Sequence, residues 1–287
     1  MNTVFLNGEF MPAEQAKISP MDRGFLFGDG VYEVVPSYNG KYIGFAPHLA
    51  RMFVGLDTIE INLGYSESEL RDICDRLIAE NSNDENGGNL GVYIQVSRGV
   101  EAKRYHAYTN TGKPTLFIHT FAIAPPPSVD APKAYRVNMT QDLRWQRCDI
   151  KTTSLLGNVM HFQQGYANGF DETILFDHND FVTEASSSNV FIVKDGVIKT
   201  PKLDNHKLAG ITRLMLLDIL RKHSDFKVEE TDISRSELLA ADEVWLTSAT
   251  KQVGAVTEVA GTLINNGKIG PVWPQVQGLF SQYMFEE

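Results

Sequence analysis

Apolar and polar positions alternate with a period of two in several stretches near the start of the chain, the pattern of strands with one face turned to a core. TVFLNGEF (residues 3–10) and VYEVVPSYNGKYIGF (31–45) read as strand and hairpin segments, and GVYIQVS (91–97) as a further strand. Between them the period becomes helical: Leu49, Met52, Leu56 and Ile59 recur at spacings of three and four, and a second helix is predicted over 67–80. Residues 81–89 are polar and contain glycine, which predicts a loop. The strand-like run PTLFIHTFAIA then ends at Pro125, Pro126 and Pro127, none of which can donate to a strand ladder. The chain is accordingly divided into a small N-terminal domain (1–124), a proline-rich linker (125–130) and a larger C-terminal domain (131–287).

Beyond the linker, Leu155, Val159, Phe162 and Tyr166 form an apolar stripe, so a helix is predicted just after Thr152, Thr153 and Ser154, with Ser154 as its N-cap. ETILFD, NVFIV and VIKTP read as short strands, with Asp195-Gly196 as a tight hairpin turn between the last two. ITRLMLLDILRKH predicts an amphipathic helix. Strands and helices do not alternate as a doubly wound parallel sheet requires, and the expected class is α+β.

A length of 287 residues fits two medium domains, and 43% hydrophobic with 22% charged residues is the balance of an ordinary globular protein. The net charge of -10, without a basic cluster, argues against nucleic acid as a partner. Any anionic ligand must be met by individually placed Arg, Lys or backbone N–H groups. The start MNTVFLNGEF lacks the features of a secretion signal, and no apolar run reaches membrane-spanning length, so a cytoplasmic location without a membrane partner is expected. Cys74 and Cys148 are read as reduced thiols, and the absence of zinc-ligand spacing points to no metal.

There is no phosphate loop of the GxxxxGK[ST] type, no HExxH, no GxSxG and no CxxC. Gly28 and Gly30 precede a strand and read as turn residues. Lys151, in RCDIKTTSLL, is either a solvated lysine or an amine desolvated by Ile150 and the apolar helix, and a desolvated neutral amine attacks carbonyls. In FVTEASSSNVFIV, Glu184 stands ahead of Ser186, Ser187 and Ser188, which either offer hydroxyls to an anion or satisfy a turn. Gly210, Ile211 and Thr212 open a helix, where free N–H groups suit a phosphate, although a threonine there also serves as a cap. Arg104 and His106 in AKRYHAYTN form either a carboxylate clamp or part of a charged loop, and Arg51 on the first helix reads as solvated.

Taken in order, DRGFLFGDGVYEVV, RCDIK, VTEASSSNVF and AGITR resemble the fold-type IV pyridoxal-phosphate enzymes, and within them the bacterial D-amino acid aminotransferases most. The likeness runs from about Phe5 to the region of Thr257. It implies a two-domain enzyme with a small N-terminal α/β domain and a larger domain with a β-barrel-like core. It also implies pyridoxal 5'-phosphate, bound as a Schiff base by Lys151, the catalytic residue. Glu184 would pair with the pyridine nitrogen, and Arg51, Ile211 and Thr212 would hold the phosphate. Ser187, Ser188, Asn189, Gly210, Ser248 and Ala249 complete the implied cofactor site. The expected reaction is ping-pong transfer of an amino group between amino acids and 2-oxo acids.

Branched-chain L-aminotransferases share the lysine, glutamate and phosphate site, so those residues do not set the substrate. The resemblance assigns the substrate α-carboxylate to Tyr32 and to an Arg-x-His pair supplied by the partner of a homodimer, matched here by Arg104 and His106. Tyr93 and Thr250 join the expected substrate residues, with Arg98 as the alternative to Arg104. The chain departs from the pattern at three places: 99–104 is one residue longer, Thr153 and Ser154 replace a Leu-Asn pair, and Ala249 stands where a hydroxyl is common. The rival readings are a branched-chain L-aminotransferase, an aminodeoxychorismate lyase, an amine transaminase and a non-catalytic pyridoxal-phosphate protein.

Overall fold

The computed structural model of the chain describes residues 2–109 and 112–286. The outermost residues of the two expected domains, Met1 and Glu287, lie outside the described residues, as do Asn110, the last residue of the AKRYHAYTN loop, and Thr111. The chain forms two compact units: one runs to Pro125 and takes back Ile150–Leu155, and the other comprises Pro126–Asp149 and Leu156–Glu286.

In the first unit, β1 (Thr3–Leu6) and β2 (Glu9–Pro12) form a hairpin whose turn, Asn7 (φ 51°) and Gly8 (φ 100°), uses the left-handed backbone such turns need. After the short helix α1 (Arg23–Phe27) come β3 (Gly30–Tyr38), β4 (Lys41–Tyr42), α2 (Phe45–Thr58), α3 (Glu67–Asn81), β5 (Asn89–Ser97) and β6 (Thr115–Ala122). The six strands make an antiparallel sheet in the order β2-β1-β6-β5-β3-β4. Its buried face, with Val31 and Val35 of β3 and Val92, Ile94 and Val96 of β5, packs with Leu49, Met52 and Leu56 of α2 and Leu70 and Leu77 of α3. α3 opens with a capping box between Ser66 and Glu69.

The sequence placed 131–287 in one domain, but Ile150–Leu155 belong to the first unit. The cause is the exposed edge of β3. β4 covers only Ser37 and Tyr38, so the ladder groups at the start of β3 need other partners. Tyr32 N–H donates to Lys151 O at 3.0 Å, Thr153 N–H to Gly30 O at 3.0 Å, and Val31 bridges to Thr152.

The second unit contains β7 (Ala134–Gln141), α4 (Leu156–Tyr166), β8 (Glu172–Phe176), β9 (Val182–Ala185), β10 (Asn189–Lys194), β11 (Val197–Pro201), α5 (Ile211–His223), β12 (Lys227–Thr231), α6 (Arg235–Leu239), β13 (Glu243–Ser248), β14 (Gln252–Val259), β15 (Thr262–Leu263) and α7 (Trp273–Tyr283). Its mixed sheet runs β12-β11-β10-β13-β14-β7-β8-β9, with β15 on β14. β9, last in that order, also packs on β10 and β11, so the sheet curls back on itself. The fold is the expected α+β class. Asp195 (φ 49°) and Gly196 (φ 77°) form the predicted turn between β10 and β11.

Ser154 is not the N-cap of α4. Its hydroxyl donates to Gly28 O at 3.0 Å and lies 3.3 Å from Phe27 O, because the segment 150–155 is occupied in pairing with the first unit. Of the stripe that predicted α4, Val159, Phe162 and Tyr166 face outward at 58%, 37% and 64% exposed and Leu155 is half-buried, while the neighbouring Leu156 and Met160 are 73% and 64% exposed. The helix packs instead through His161 and Gly165, where a Cβ on Gly165 would come within 2.3 Å of Thr173 Oγ1.

Candidate active site

In the first unit Lys151 is fixed by the main-chain bonds that tie its segment to β3, between the buried Ile150 and Thr152. Its Nζ lies 4.1 Å from the ring centroid of Tyr32. Among the described residues no carboxylate pairs with this amine. Tyr32 points away from the core side of β3 and stacks on Tyr93 of β5, centroids 5.6 Å apart. Tyr93 hydroxyl donates to Gln95 Oε1 at 2.6 Å, and burial, with Tyr32 adding to it, pushes the phenol up to about 12. Lys151, Tyr32 and Tyr93, separated by up to 119 positions in sequence, thus share one patch.

On the opposite side of β3, Glu33 lies between Val31 and Val35 and is fully buried. A bare carboxylate there would be prohibitive, so it must be compensated. α2 supplies the partners one turn apart: Arg51 Nε and Nη2 donate to the two Glu33 oxygens at 2.7 Å each, and His48 Nδ1 lies 2.7 Å from Oε2. Burial would raise the Glu33 pKa, but His48 and Arg51 outweigh it and hold it down to about 2. Burial pushes the His48 imidazole down against the pull of Glu33. Arg51 supplies the bidentate counter-charge, and the His48 ring closes the other side of the carboxylate. Arg51, a candidate phosphate ligand, is thus braced by Glu33, a partner the sequence reasoning missed. A polar residue at a core-facing strand position was the available signal.

Arg104 and His106 lie on an exposed loop, and both contact Phe27, at 5.0 Å and 5.4 Å from its ring centroid. Arg98, the alternative clamp residue, is buried. It donates to Asp29 at 2.9 and 3.0 Å and to Ile59 O at 2.7 Å, and stacks 3.5 Å over Tyr108. It is committed to supporting the loop.

In the second unit Glu184, at the end of β9, is buried and accepts from Arg144 Nη1 at 2.7 Å, Leu208 N–H at 3.0 Å and Asn189 Nδ2 at 3.2 Å. Burial raises its pKa, while Arg144 and the Leu208 amide pull it down. Arg144, itself held by Asp142 at 2.7 Å, is a second residue the sequence reasoning missed. Asn189 Nδ2 also donates to Leu208 O at 2.9 Å, and a Cβ on Gly210 would come within 2.0 Å of Asn189 Oδ1, so only glycine fits there. Gly210 is the N-cap of α5, and no side chain caps this helix. The amides of the buried Ile211 and Thr212 therefore sit at a thirteen-residue helix start, ready for an anion.

The three serines do serve an anion, but one within the chain. Ser186 and Ser187 donate to the two oxygens of Glu172, which is fully buried on β8, and Ser188 reaches it at 3.4 Å. Lys251 Nζ lies 3.3 Å from Ser188 Oγ and 3.7 Å from Glu172. Ser248 ends β13, and Ala249, Thr250 and Lys251 form the turn to β14, with Ser248 Oγ accepting from Lys251 N–H at 3.2 Å. Among the described residues no cluster of three or more His, Cys, Asp or Glu could hold a metal, and no helix is long and apolar enough to cross a membrane.

The first unit thus offers an amine that no carboxylate pairs with among the described residues, and the second offers a buried carboxylate held by an arginine and a helix start with no side-chain cap. The chain is 37% identical to the D-alanine aminotransferase of Listeria monocytogenes (strain 10403S) over 99% of this chain and 95% of that one. It is 36% identical to the D-alanine aminotransferase of Staphylococcus haemolyticus over 99% and 98% of the two chains. Among solved structures, the branched-chain amino acid aminotransferase of Escherichia coli superposes with a TM-score of 0.90 at 22% identity, covering 99% of this chain and 94% of that one. The family model for class IV amino-transferases matches residues 30–259, which is most of the sequence. The chain belongs to the class IV aminotransferases, enzymes that depend on pyridoxal 5'-phosphate.

Proposed function

We propose that this enzyme moves the amino group between D-amino acids, such as D-alanine and D-glutamate, and 2-oxo acids. The observation that carries the reading is Arg104-Tyr105-His106, exposed on its loop while Arg98 is committed elsewhere. A guanidinium and an imidazole two residues apart suit a carboxylate. The full-length likeness to enzymes named D-alanine aminotransferase supports the same substrate class.

In this reading Lys151 would hold the cofactor aldehyde through its amine, and the same amine, when free, would carry the proton from and to the reacting carbons. Proton transfer by a well-placed group is worth roughly 100- to 10,000-fold. Glu184 would pair with the ring nitrogen of the bound cofactor, and Arg144 opposes the burial that raises the pKa of that carboxylate. The cofactor supplies an electron sink for the charge left when Cα loses its proton. The Ile211 and Thr212 amides receive the phosphate, with Arg51 as a further ligand, and Ser187, Ser188, Asn189, Gly210, Ser248 and Ala249 line the cofactor. Tyr32, Tyr93 and Thr250 join Arg104 and His106 on the substrate side.

The functional form in this proposal is a cytoplasmic homodimer whose partner loop brings Arg104 and His106 to the substrate. The outward apolar face of α4, together with the exposed Leu143 and Trp145, supports an interface there, since isolated chains rarely leave such a patch to water. The test of the substrate is spectroscopic. D-alanine added to the holoenzyme is expected to bleach the aldehyde absorbance while L-alanine and L-leucine leave it unchanged; bleaching by L-leucine alone would make this a branched-chain L-aminotransferase.

A further inference from the structure

The loop bearing Arg104 and His106 is exposed from residue 102 to residue 109. Such a segment ordinarily spreads over many conformations, and ordering it on binding costs affinity. Here one buried residue, Arg23, fastens both of its limbs, one by its main chain and the other by its side chain. At the start of the loop, Arg23 N–H donates to Gly99 O at 2.8 Å, beside the bridge between Asp22 and Val100. The Arg23 guanidinium reaches the returning limb. Nη1 donates to Tyr105 O at 2.6 Å and Nη2 to His106 O at 3.0 Å, with Ala107 O at 3.5 Å from Nη1.

The other edge of the same guanidinium is anchored. Nε donates to Asp29 Oδ2 at 2.7 Å, and Arg98 binds the same carboxylate through Nε and Nη2 at 2.9 and 3.0 Å. Glu101 Oε2, 3.6 Å from Arg23 Nη1, supplies a second negative charge, so two arginines meet two carboxylates. Phe27 lies beneath the arrangement, its ring centroid 4.9 Å from Arg23, 5.0 Å from Arg104 and 5.4 Å from His106. The planar fork of arginine spans two successive carbonyls and a carboxylate at once, which the point charge of a lysine cannot.

We propose that Arg23 is a positioning residue for substrate binding: by gripping the carbonyls of Tyr105 and His106 it sets Arg104 and His106 in the geometry that receives a substrate α-carboxylate. The proposal rests on reading that loop as the carboxylate clamp. Arg23 acts through the loop and touches neither cofactor nor substrate.

The experiment is a double-mutant cycle on the holoenzyme with Arg23→Lys, Arg104→Ala and the pair, read by the amino-acid dependence of the first half-reaction. Arg23→Lys keeps a positive charge at Asp29, and Arg98 keeps that carboxylate paired, so the fold has its compensation; Arg23→Gln is the second variant. Arg23→Lys is expected to raise the half-saturating amino acid concentration by roughly 10- to 100-fold, with the saturated rate within about threefold of wild type. In the Arg104→Ala background the same change is expected to add nothing. Amide hydrogen exchange at 104–108 should quicken in Arg23→Lys, a readout independent of turnover. If Arg104→Ala weakens substrate binding while Arg23→Lys leaves both half-saturation and exchange unchanged, the positioning role is overturned and the clamp stands. If the two effects add fully, Arg23 does not act through Arg104 and the proposal fails. If Arg104→Ala is itself silent, the clamp reading falls, and the proposed role of Arg23 with it.

Discussion

Glu33 is a fully buried carboxylate, kept ionised by a bidentate arginine and a histidine. Its pKa of about 2, against an ordinary 4.5, makes a pH prediction with a definite sign. A carboxyl depressed on folding stabilises the protein above its unfolded pKa, and that contribution disappears as pH falls from 4.5 toward 2. A shift of that size is worth on the order of 3 kcal/mol. Urea unfolding of wild type and Glu33→Gln should therefore differ most near pH 7, where the variant leaves Arg51 without its partner, and converge as pH falls from about 4.5 toward 2. A gap constant with pH would mean Glu33 is not the titrating group. Glu33, Arg144 and Glu172 escaped the sequence reading for one physical reason. A buried charge is recognised by its partner, and those partners lie 18, 40 and 14 to 16 positions away. Lys151, Glu184 and the Ile211-Thr212 pair could be named as candidates because each sits within a contiguous motif.

The period of the chain reports which residues share a face, and this located β3, β5, α2, α3 and α5 within a few residues. It does not report what that face meets. α4 has the spacing of a core helix yet turns Leu156, Val159, Met160 and Tyr166 outward, and Ser154, typical of a cap, bonds back to Gly28 instead. Gly28 and Gly30 divide along similar lines. Gly28 is the turn residue its context suggested, ending α1 at φ 68°, whereas Gly30 is required by crowding, since its Cβ would fall 2.4 Å from Val96 O. That oxygen belongs to the β5 ladder and cannot move aside without breaking the pair. Gly30→Ala should cost about 2 kcal/mol or more in urea unfolding, and should disturb Lys151, whose segment hangs on the same end of β3. A loss within about 0.5 kcal/mol would show that β3 and β5 have slack at this point.

For the molecule as a whole, the likeness of motifs conveyed class, cofactor and two-part organisation. The return of 150–155 to the first unit was not legible, because the unpaired edge of β3 that recruits it exists only once the sheet has formed. Assembly is open to direct measurement. Val159→Asp with Met160→Asp places two charges on the outward face of α4, which in a dimer interface leaves them desolvated and unpaired. Sedimentation should report a folded monomer with turnover sharply reduced; a dimer of unchanged stability would mean α4 faces solvent in the assembly. Beneath all of this stands the chemistry of a single amine. Borohydride added to protein saturated with pyridoxal phosphate, followed by peptide mapping, should place the reduced pyridoxyl group on Lys151 and nowhere else; a tag on a different lysine, or none, would contradict the account.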